Sequence, residues 1–333
     1  LKEAHPKLRP VDTPTKGVFI AGAVESPKDV RESVTQASAA ASRASILLNK
    51  SRFAVEAITA VIDDTLCKQC GVCAGVCPFG AIQWEKKQTA RVISAACAGC
   101  GTCAAECKFD AIMMRHFSDQ AIFAQIDAIL DENPQEKVVT FACNWCSYAG
   151  ADTAGVSRLA YPPNARIIRT MCSGRVNPEF VWHAFQKGAP AVLVSGCHYV
   201  DCHYLDANRN TTRRMDGLWD GLEKAGLRPG RLMLEWCSAA EGARWQNTMV
   251  EAEKRRQSVT SEELAQTQAT LAGLKTPSPR TSRPGDENTE AVFACVRCGH
   301  QWHDRYAVNT ERTCPQCRSN SVRWLRIKPE ISS

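Results

Sequence analysis

The sequence predicts a multidomain chain of mixed α/β and α+β class, on three observations. A C-x2-C-x2-C-x3-C run is written twice, at 67–77 and 97–107. Four apolar runs, each followed closely by a cysteine, alternate with helical patterns between 136 and 256. Two C-x2-C pairs stand near the end, at 295–298 and 314–317. The 333 residues suffice for two or three domains. Composition shifts divide the chain at 1–60, 61–117, 118–135, 136–256, 257–290 and 291–333. Hydrophobic content of 44% and charged content of 23% are ordinary for soluble protein, whereas 18 cysteines are not. No run approaches the roughly 18–20 apolar residues that span a bilayer, and the opening residues lack the apolar core of a signal peptide. The expected compartment is the cytoplasm, where thiols stay reduced and C-x2-C pairs are metal or cluster ligands before they are disulfides. The net charge of +6 is spread along the chain and argues for no partner.

In the first segment, Gly17–Ala21 is β-like, the chain turns at Gly22, and a small-residue helix is expected from about Pro27. Strand, glycine turn and helix N-terminus make an anion-friendly corner, and an ordinary βα unit fits the same residues equally well. No G-x-G-x-x-G occurs, so a complete dinucleotide-binding domain is not expected.

The two cysteine runs follow as an internal repeat of about thirty residues. Short β segments are expected on either side of each, in "VIDDTLC" and "FGAIQW", then "ARVISAAC" and "FDAIMM". Soft thiolates this close together suit iron-sulfur clusters better than zinc. Residues 61–117 resemble the bacterial-type two-cluster ferredoxin domain, in which the fourth cysteine of each run reaches the other cluster. The resemblance implies one 4Fe-4S centre on Cys67, Cys70, Cys73 and Cys107, and a second on Cys97, Cys100, Cys103 and Cys77. Pro78 follows the first run as the pattern expects; Lys108 stands in place of the second proline, which alters local charge but no ligand.

"EAHPKLRPVDTPTKGVFIAGAVESPKDVRESVTQASAAASRA", the ferredoxin and "FSDQAIFAQIDAIL" together resemble the C-terminal portion of the HdrA-type subunit of heterodisulfide reductase. In that family the first segment closes the FAD domain. The resemblance implies that Gly22, Ala23, Pro27, Lys28 and Asp29 lie near a flavin, either shared with another chain or absent here, because the glycine-rich half of the family is missing. A connector helix is expected over 118–135.

From 136 the pattern becomes βα, repeated four times. "KVVTFA", "ARIIRTM", "AVLVSG" and "RLMLEW" predict buried parallel strands of a small doubly wound domain. Cys143, Cys172, Cys197 and Cys237 stand where these strands end, with Cys146 and Cys202 close behind. In a parallel sheet with right-handed crossovers the strand C-termini share one edge, so four to six thiols converge there. Such a group suits a 2Fe-2S cluster, a zinc ion or a redox dithiol. "FACNWCSYAGAD", "TMCSGRVNP" and "GCHYVDCHY" resemble the delta, iron-sulfur subunit of the methyl-viologen-reducing hydrogenase. This implies a 2Fe-2S cluster on four of Cys143, Cys146, Cys172, Cys197 and Cys202. Tyr199 and Val200 stand where the family usually has Pro-Gly. Cys237 lies outside the family pattern and is expected to be a core thiol. His198 and His203 are expected to hydrogen-bond near the cluster or lie at the surface rather than to ligate iron.

Residues 257–290 lose the apolar period and end in Pro, Ser, Thr and Gly, which predicts a flexible linker. Beyond it Cys295, Cys298, Cys314 and Cys317 form two knuckles with fifteen residues between, interleaved with "WHDRYAV" and "SVRWLRI" as strands. Four thiolates suit a structural zinc, and a module this short has too little core to fold without one, so a C-terminal zinc ribbon is expected. Seven Lys or Arg against three acids from Ala291 onward give +4. A protein-docking or capping role is favoured over nucleic-acid binding, to which nothing else points.

No nucleophile, acid-base pair or substrate signature stands out, so catalytic residues are not expected in this chain. Together the resemblances imply an electron-transfer subunit of a heterodisulfide reductase-like complex. It would pass electrons between a flavin site and a hydrogenase or dehydrogenase partner. The fusion is also similar to the B-type subunit of the quinone-interacting membrane-bound oxidoreductase, which implies membrane association through partner subunits. A redox-sensing scaffold is the alternative from another class.

Overall fold

The computed structural model describes residues 3–4, 10–13, 17–51, 57–277, 290–305 and 310–325. The first segment is mostly helix. The β-like run Gly17–Ala21 forms no regular strand, only a single antiparallel bridge between Asp12 and Phe19. A 3-10 turn follows at Gly22–Val24, and helix α1 runs Val30–Leu48, starting three residues later than expected. The start is set by Asp29, whose side chain accepts from Glu32 N–H while the Glu32 side chain accepts from Asp29 N–H, a reciprocal cap. None of the α1 residues is buried.

The cysteine repeat folds as two equivalent halves. Strand β1 (Ala60–Ile62) pairs antiparallel with β4 (Ile112–Met114), and β2 (Ile82–Gln83) with β3 (Arg91–Val92). Single-turn helices α2 (Val72–Gly75) and α3 (Thr102–Ala105) lie within the two cysteine runs. Helix α4 (Asp119–Leu130) leads out, capped by the Ser118 hydroxyl, and buries Ile122, Ile126 and Leu130 at helical spacing.

Strands β5 (Val138–Cys143), β6 (Ala165–Thr170), β7 (Ala191–Gly196) and β8 (Leu232–Trp236) form one parallel sheet in the order β6-β5-β7-β8. Every residue of β5, β7 and β8 is buried, which is why these strands are continuous apolar runs rather than alternating ones. Helices α5 (Ser147–Val156) and α8 (Gly242–Gln257) cover one face, packing Ala151, Ala154, Trp245 and Met249 onto it. Helices α4, α6 (Pro178–Gln186) and α7 (Ala207–Lys224) cover the other, around Phe141, Phe180, Met215 and Trp219. The chain adds β6 on one side of β5 and then crosses to β7 on the other. The switch point, where such sheets open a crevice, lies between the ends of β5 and β7.

The stretch expected to be a flexible linker contains helix α9, Ser261–Ala272. Thr260 caps it, Glu262 and Glu263 occupy its first turn, and Leu271 is buried against α6. Gln186 donates to Leu271 O at 3.0 Å and Trp182 to Leu274 O at 3.3 Å. Its inward positions include Thr267 as well as Leu271, so the apolar period is too weak to see in the sequence. The remainder of that stretch, 278–289, lies outside the described residues, as do Tyr306–Val308 and Arg326–Ile327 of the two expected final strands. Strands β9 (Glu290–Cys295), β10 (Gln301–Arg305) and β11 (Val322–Leu325) make an antiparallel sheet in the order β10-β9-β11.

Candidate metal centres

Each cysteine run turns on a left-handed glycine: Gly71, with φ of 72°, precedes α2, and Gly101, with φ of 78°, precedes α3. Glycine is required there twice over. The dihedral disfavours a side chain, and a Cβ on Gly71 would lie 2.8 Å from the Trp84 ring, while one on Gly101 would collide with Arg175. The turns sort the eight thiols into crossed sets. Cys67, Cys70, Cys73 and Cys107 line one hollow with Ile62, Phe109 and Ile112, and Cys77, Cys97, Cys100 and Cys103 line another with Phe79, Ile82 and Met114. Apolar voids ringed by soft thiolates fit iron-sulfur centres. Burial pushes the Cys73 and Cys100 thiols up to about 11 and raises Cys103 as well, so binding metal there releases their protons. The two sets differ in depth: Cys70 is exposed, whereas Cys100 and Cys103 are buried.

The second set abuts the parallel sheet. Cys100 packs in one cluster with Cys143, Cys146, Cys172, Cys197, Cys202, Tyr204 and Ala207, and Phe79 and Ala98 close its flank. Cys143 Sγ and Cys197 Sγ, at the switch point, are 3.7 Å apart. Gly174 N–H donates to Cys172 Sγ at 3.3 Å. Four of these thiols divide in character: hydrogen bonds from Cys172 and Cys197 pull Cys143 and Cys202 down toward the thiolate. Burial holds Cys172 up, and the bonds it gives to Cys143, Cys146 and Cys202 hold Cys197 up. Such a group binds soft metal on release of its remaining protons.

Cys237 is separate. It packs with Ala142 and Trp245 on the other face of the sheet, its thiol donates to Ser238 O and Glu241 O at 3.5 Å, and burial pushes it up to about 12. His198 turns its ring to two carboxylates rather than to the thiols, with Nδ1 2.9 Å from Glu311 and Nε2 2.8 Å from Glu241. The hydrogen bond to Glu311, more than that to Glu241, raises His198 to about 9 against the opposing effect of burial. His203 stacks on Trp145 with centroids 3.8 Å apart, and Trp145 donates to the Tyr204 hydroxyl at 2.9 Å. Trp145 is itself exposed, so this stack connects the thiol group to the surface.

Buried charge pins the junction. Glu106, which follows α3, accepts from Arg214 Nη1 at 2.6 Å and Arg213 Nη2 at 2.8 Å, and Arg214 Nη2 donates to Gly174 O at 2.8 Å. Arg175, wholly buried, pairs with Asp119, donates to Phe117 O at 3.2 Å and lies over the Phe180 ring. None of Glu106, Arg175, Tyr204 or Arg214 stands out in the sequence, because each acts across more than fifty residues.

The C-terminal thiols are the tightest group. Cys295, Cys298, Cys314 and Cys317 have sulfurs all within 4.8 Å of one another, and among the described residues they form the one such ligand group. Cys295 and Cys317 are 3.6 Å apart, Cys298 and Cys314 3.7 Å. A tetrahedron with metal-sulfur bonds near 2.3 Å has edges of about 3.8 Å, so the group fits a single tetrahedral ion such as zinc. The looser sets above fit larger inorganic cores.

The N-terminal corner fits a flavin poorly. Gly22 N–H is taken by Gln36 Oε1 at 3.0 Å, Lys28 by Ser26 at 2.9 Å and Glu25 at 3.4 Å. The Asp29 and Glu32 carboxylates occupy the α1 N-terminus, where they would repel a pyrophosphate. Ala23 and Pro27 are exposed and bring no polar side chain to hold one.

Comparison with known proteins agrees with these parts. Residues 138–259 match the family described as "Methyl-viologen-reducing hydrogenase, delta subunit", and residues 60–83 the "4Fe-4S binding domain". The HdrA-type subunit of the ferredoxin/F(420)H(2)-dependent CoB-CoM heterodisulfide reductase of Methanosarcina acetivorans is 49% identical over 249 residues, 74% of this chain and 31% of the relative. The chain thus spans about a third of the length of that relative. The iron-sulfur D-type subunit of the vhc F420-non-reducing hydrogenase of Methanococcus voltae is 52% identical over 118 residues, 35% of this chain and 82% of the relative. The corresponding iron-sulfur protein of the F420-non-reducing hydrogenase of Archaeoglobus profundus is 43% identical over 122 residues, 37% of this chain and 89% of the relative. With its strand-end thiols lying in a segment that covers most of these two hydrogenase proteins, the chain belongs to the hydrogenase delta, iron-sulfur subunit family, joined to a segment similar to the HdrA-type subunit of heterodisulfide reductase.

Proposed function

We propose that this chain relays single electrons within a heterodisulfide reductase-like complex, between a flavin site on another subunit of the complex and a partner oxidoreductase. The observation that carries the reading is the shared cluster in which Cys100 of the repeat packs against the thiols at the strand ends. Two metal-ligating sites in van der Waals contact, each similar to part of a different redox protein, serve electron passage better than either serves alone. The residues that would hold 4Fe-4S centres are Cys67, Cys70, Cys73 and Cys107, and Cys77, Cys97, Cys100 and Cys103. Four of Cys143, Cys146, Cys172, Cys197 and Cys202 would hold a 2Fe-2S centre, and the C-terminal four a zinc in a ribbon-like module. Bound iron-sulfur centres supply one-electron chemistry whose potential follows burial, charge and hydrogen bonding.

The chain's own residues set those conditions. Phe79, Ala98 and Tyr204 exclude water between Cys100 and the strand-end thiols. Arg175 and Arg214 place buried positive charge at the same junction, which favours the electron-rich state. The Trp145–His203 stack offers the partner a route to the strand-end site. Among the described residues no helix is long and apolar enough to cross a membrane, so membrane contact of the complex is assigned to partners.

Anaerobically purified chain is expected to carry about ten iron and ten acid-labile sulfide with one zinc, from two cubanes, one binuclear centre and one ribbon. Rapid mixing with a reductant should reduce every centre at a rate compatible with turnover. Slow or absent reduction would favour the sensor, and zinc without labile sulfide would overturn the relay.

A further inference from the structure

The C-terminal module is fastened to the parallel sheet by the residues that flank its second knuckle. Strand β8 is the sheet's edge, with a row of backbone groups that no neighbouring strand satisfies. The three residues Ser319, Asn320 and Ser321, directly after Cys317 and Arg318, satisfy them with side chains. Ser321 Oγ accepts from Leu234 N–H at 3.0 Å and donates to Leu234 O at 3.1 Å, and Asn320 Oδ1 accepts from Trp236 N–H at 3.2 Å. Glu235, almost wholly buried on the same strand, accepts from Ser319 Oγ and, at 3.3 Å, from Asn320 N–H. The knuckle shapes this triplet, since Cys314 N–H donates to Ser319 O at 2.9 Å and Arg318 N–H to Cys314 O at 2.9 Å.

On the other side of the knuckle, three residues before Cys314, Glu311 reaches the loop that carries Cys197 and Cys202. Its carboxylate accepts from Tyr199 N–H at 3.1 Å and meets His198 Nδ1 at 2.9 and 3.0 Å, and Asn320 Nδ2 steadies it at 3.0 Å. The 3-10 turn Tyr199–Asp201 that Glu311 grips joins the two cysteines directly.

We propose that the C-terminal four-cysteine module is a latch on the strand-end thiol site, with Glu311 as the positioning residue that holds the Cys197–Cys202 loop. The inference rests on the 2Fe-2S reading of that site. Metal in the four-cysteine group fixes the knuckle, the knuckle fixes Glu311 and Asn320, and these fix the loop. The module thus contributes to the electron path without carrying an electron.

The test uses the full chain, purified without oxygen, with zinc content, electron paramagnetic resonance and redox potentiometry as readouts. Glu311→Ala is expected to keep its zinc and its 4Fe-4S signals. Its 2Fe-2S line shape should change and the reduction equilibrium of that centre move on the order of tenfold, about 59 mV for one electron. Glu311→Gln, which keeps an acceptor for Tyr199 N–H, should restore most of the line shape. Cys317→Ser should lose zinc and displace the same 2Fe-2S signal. A Glu311→Ala chain with wild-type line shape and midpoint overturns the latch, as does a zinc-free Cys317→Ser chain with an unchanged 2Fe-2S centre. A wild-type chain with no 2Fe-2S signal at all rejects the underlying reading instead, and the latch with it.

Discussion

Removing the Glu106 carboxylate tests whether the ferredoxin-like repeat and the parallel sheet fold as one body. Glu106 bridges two arginines, but they are not equivalent. Arg213 is 41% exposed, so its arm contributes little, whereas the Arg214 side chain is fully buried. In Glu106→Ala, Arg214 would keep one carbonyl, Gly174 O, and its Nε already has no hydrogen-bond partner. Stranding a buried guanidinium in this way costs about 3–5 kcal/mol. For a folding unit of 150–250 residues each kcal/mol lowers the melting temperature by about 2–4 °C, so the fall should be about 10 °C. Anaerobic thermal unfolding, followed by near-ultraviolet circular dichroism of the buried Trp219, Trp236 and Trp245, reads the sheet domain directly. Visible absorbance followed in parallel reads cluster loss. If Glu106→Ala melts within about 2 °C of wild type, less than 1 kcal/mol on the same scale, the ion pair does not clamp the junction.

Among the sheet thiols, alanine in place of Cys143, Cys146, Cys172, Cys197 or Cys202, one at a time, should abolish the 2Fe-2S signal in four of the five variants, whereas Cys237→Ala, in the opposite core, should leave it unchanged; a signal lost with Cys237→Ala would make Cys237 part of the site. Arg231 binds Pro190 O, Ala189 O and Thr267 Oγ1 at 2.7, 2.9 and 2.6 Å, tying α9 to the sheet. Arg231→Met should therefore cost about 2–3 kcal/mol. Limited proteolysis should then cut between 257 and 277 faster than in the wild-type chain, and equal rates would separate α9 from the stability of the sheet.

The parts of this fold that are local in sequence were legible there, and the parts that are not were silent. Strands β5, β7 and β8 announce themselves because a strand buried on both faces is an unbroken apolar run. The convergence of Cys143, Cys172 and Cys197 then follows from parallel topology, and Cys146 and Cys202, a few residues on, join them. Cys237, which follows β8, turns to the opposite face, as expected of a core thiol. Helix α9 was hidden because Thr267 and Gln268 stand where an apolar stripe would have shown. The Gly17–Ala21 run has a strand's composition but only the bridge to Asp12 as partner, and composition cannot supply the missing neighbour. The pairs that fasten the domains leave no local trace at all: Arg214 and Glu106 are separated by 108 positions and His198 and Glu311 by 113.

The buried Arg214–Glu106 pair is weak evidence for stability, because desolvation offsets most of the attraction between the charges. An apolar pair of similar volume at the same place should hold the domains at least as firmly. The charged pair's placement beside the contact between Cys100 and the strand-end thiols therefore points to register: a directional pair admits one alignment of the two thiol sets, whereas a greasy contact admits several. Glu106→Leu combined with Arg214→Met separates the two roles. Its stability should stay within about 1 kcal/mol of wild type or exceed it, unlike Glu106→Ala. Its inter-centre electron passage should nonetheless slow or become heterogeneous in rapid-mixing traces, because the distance between the second 4Fe-4S set and the strand-end site is no longer single-valued. A double variant as stable as wild type with identical, single-phase reduction of every centre would show that packing alone sets the alignment, and that the charges at this junction serve something other than register.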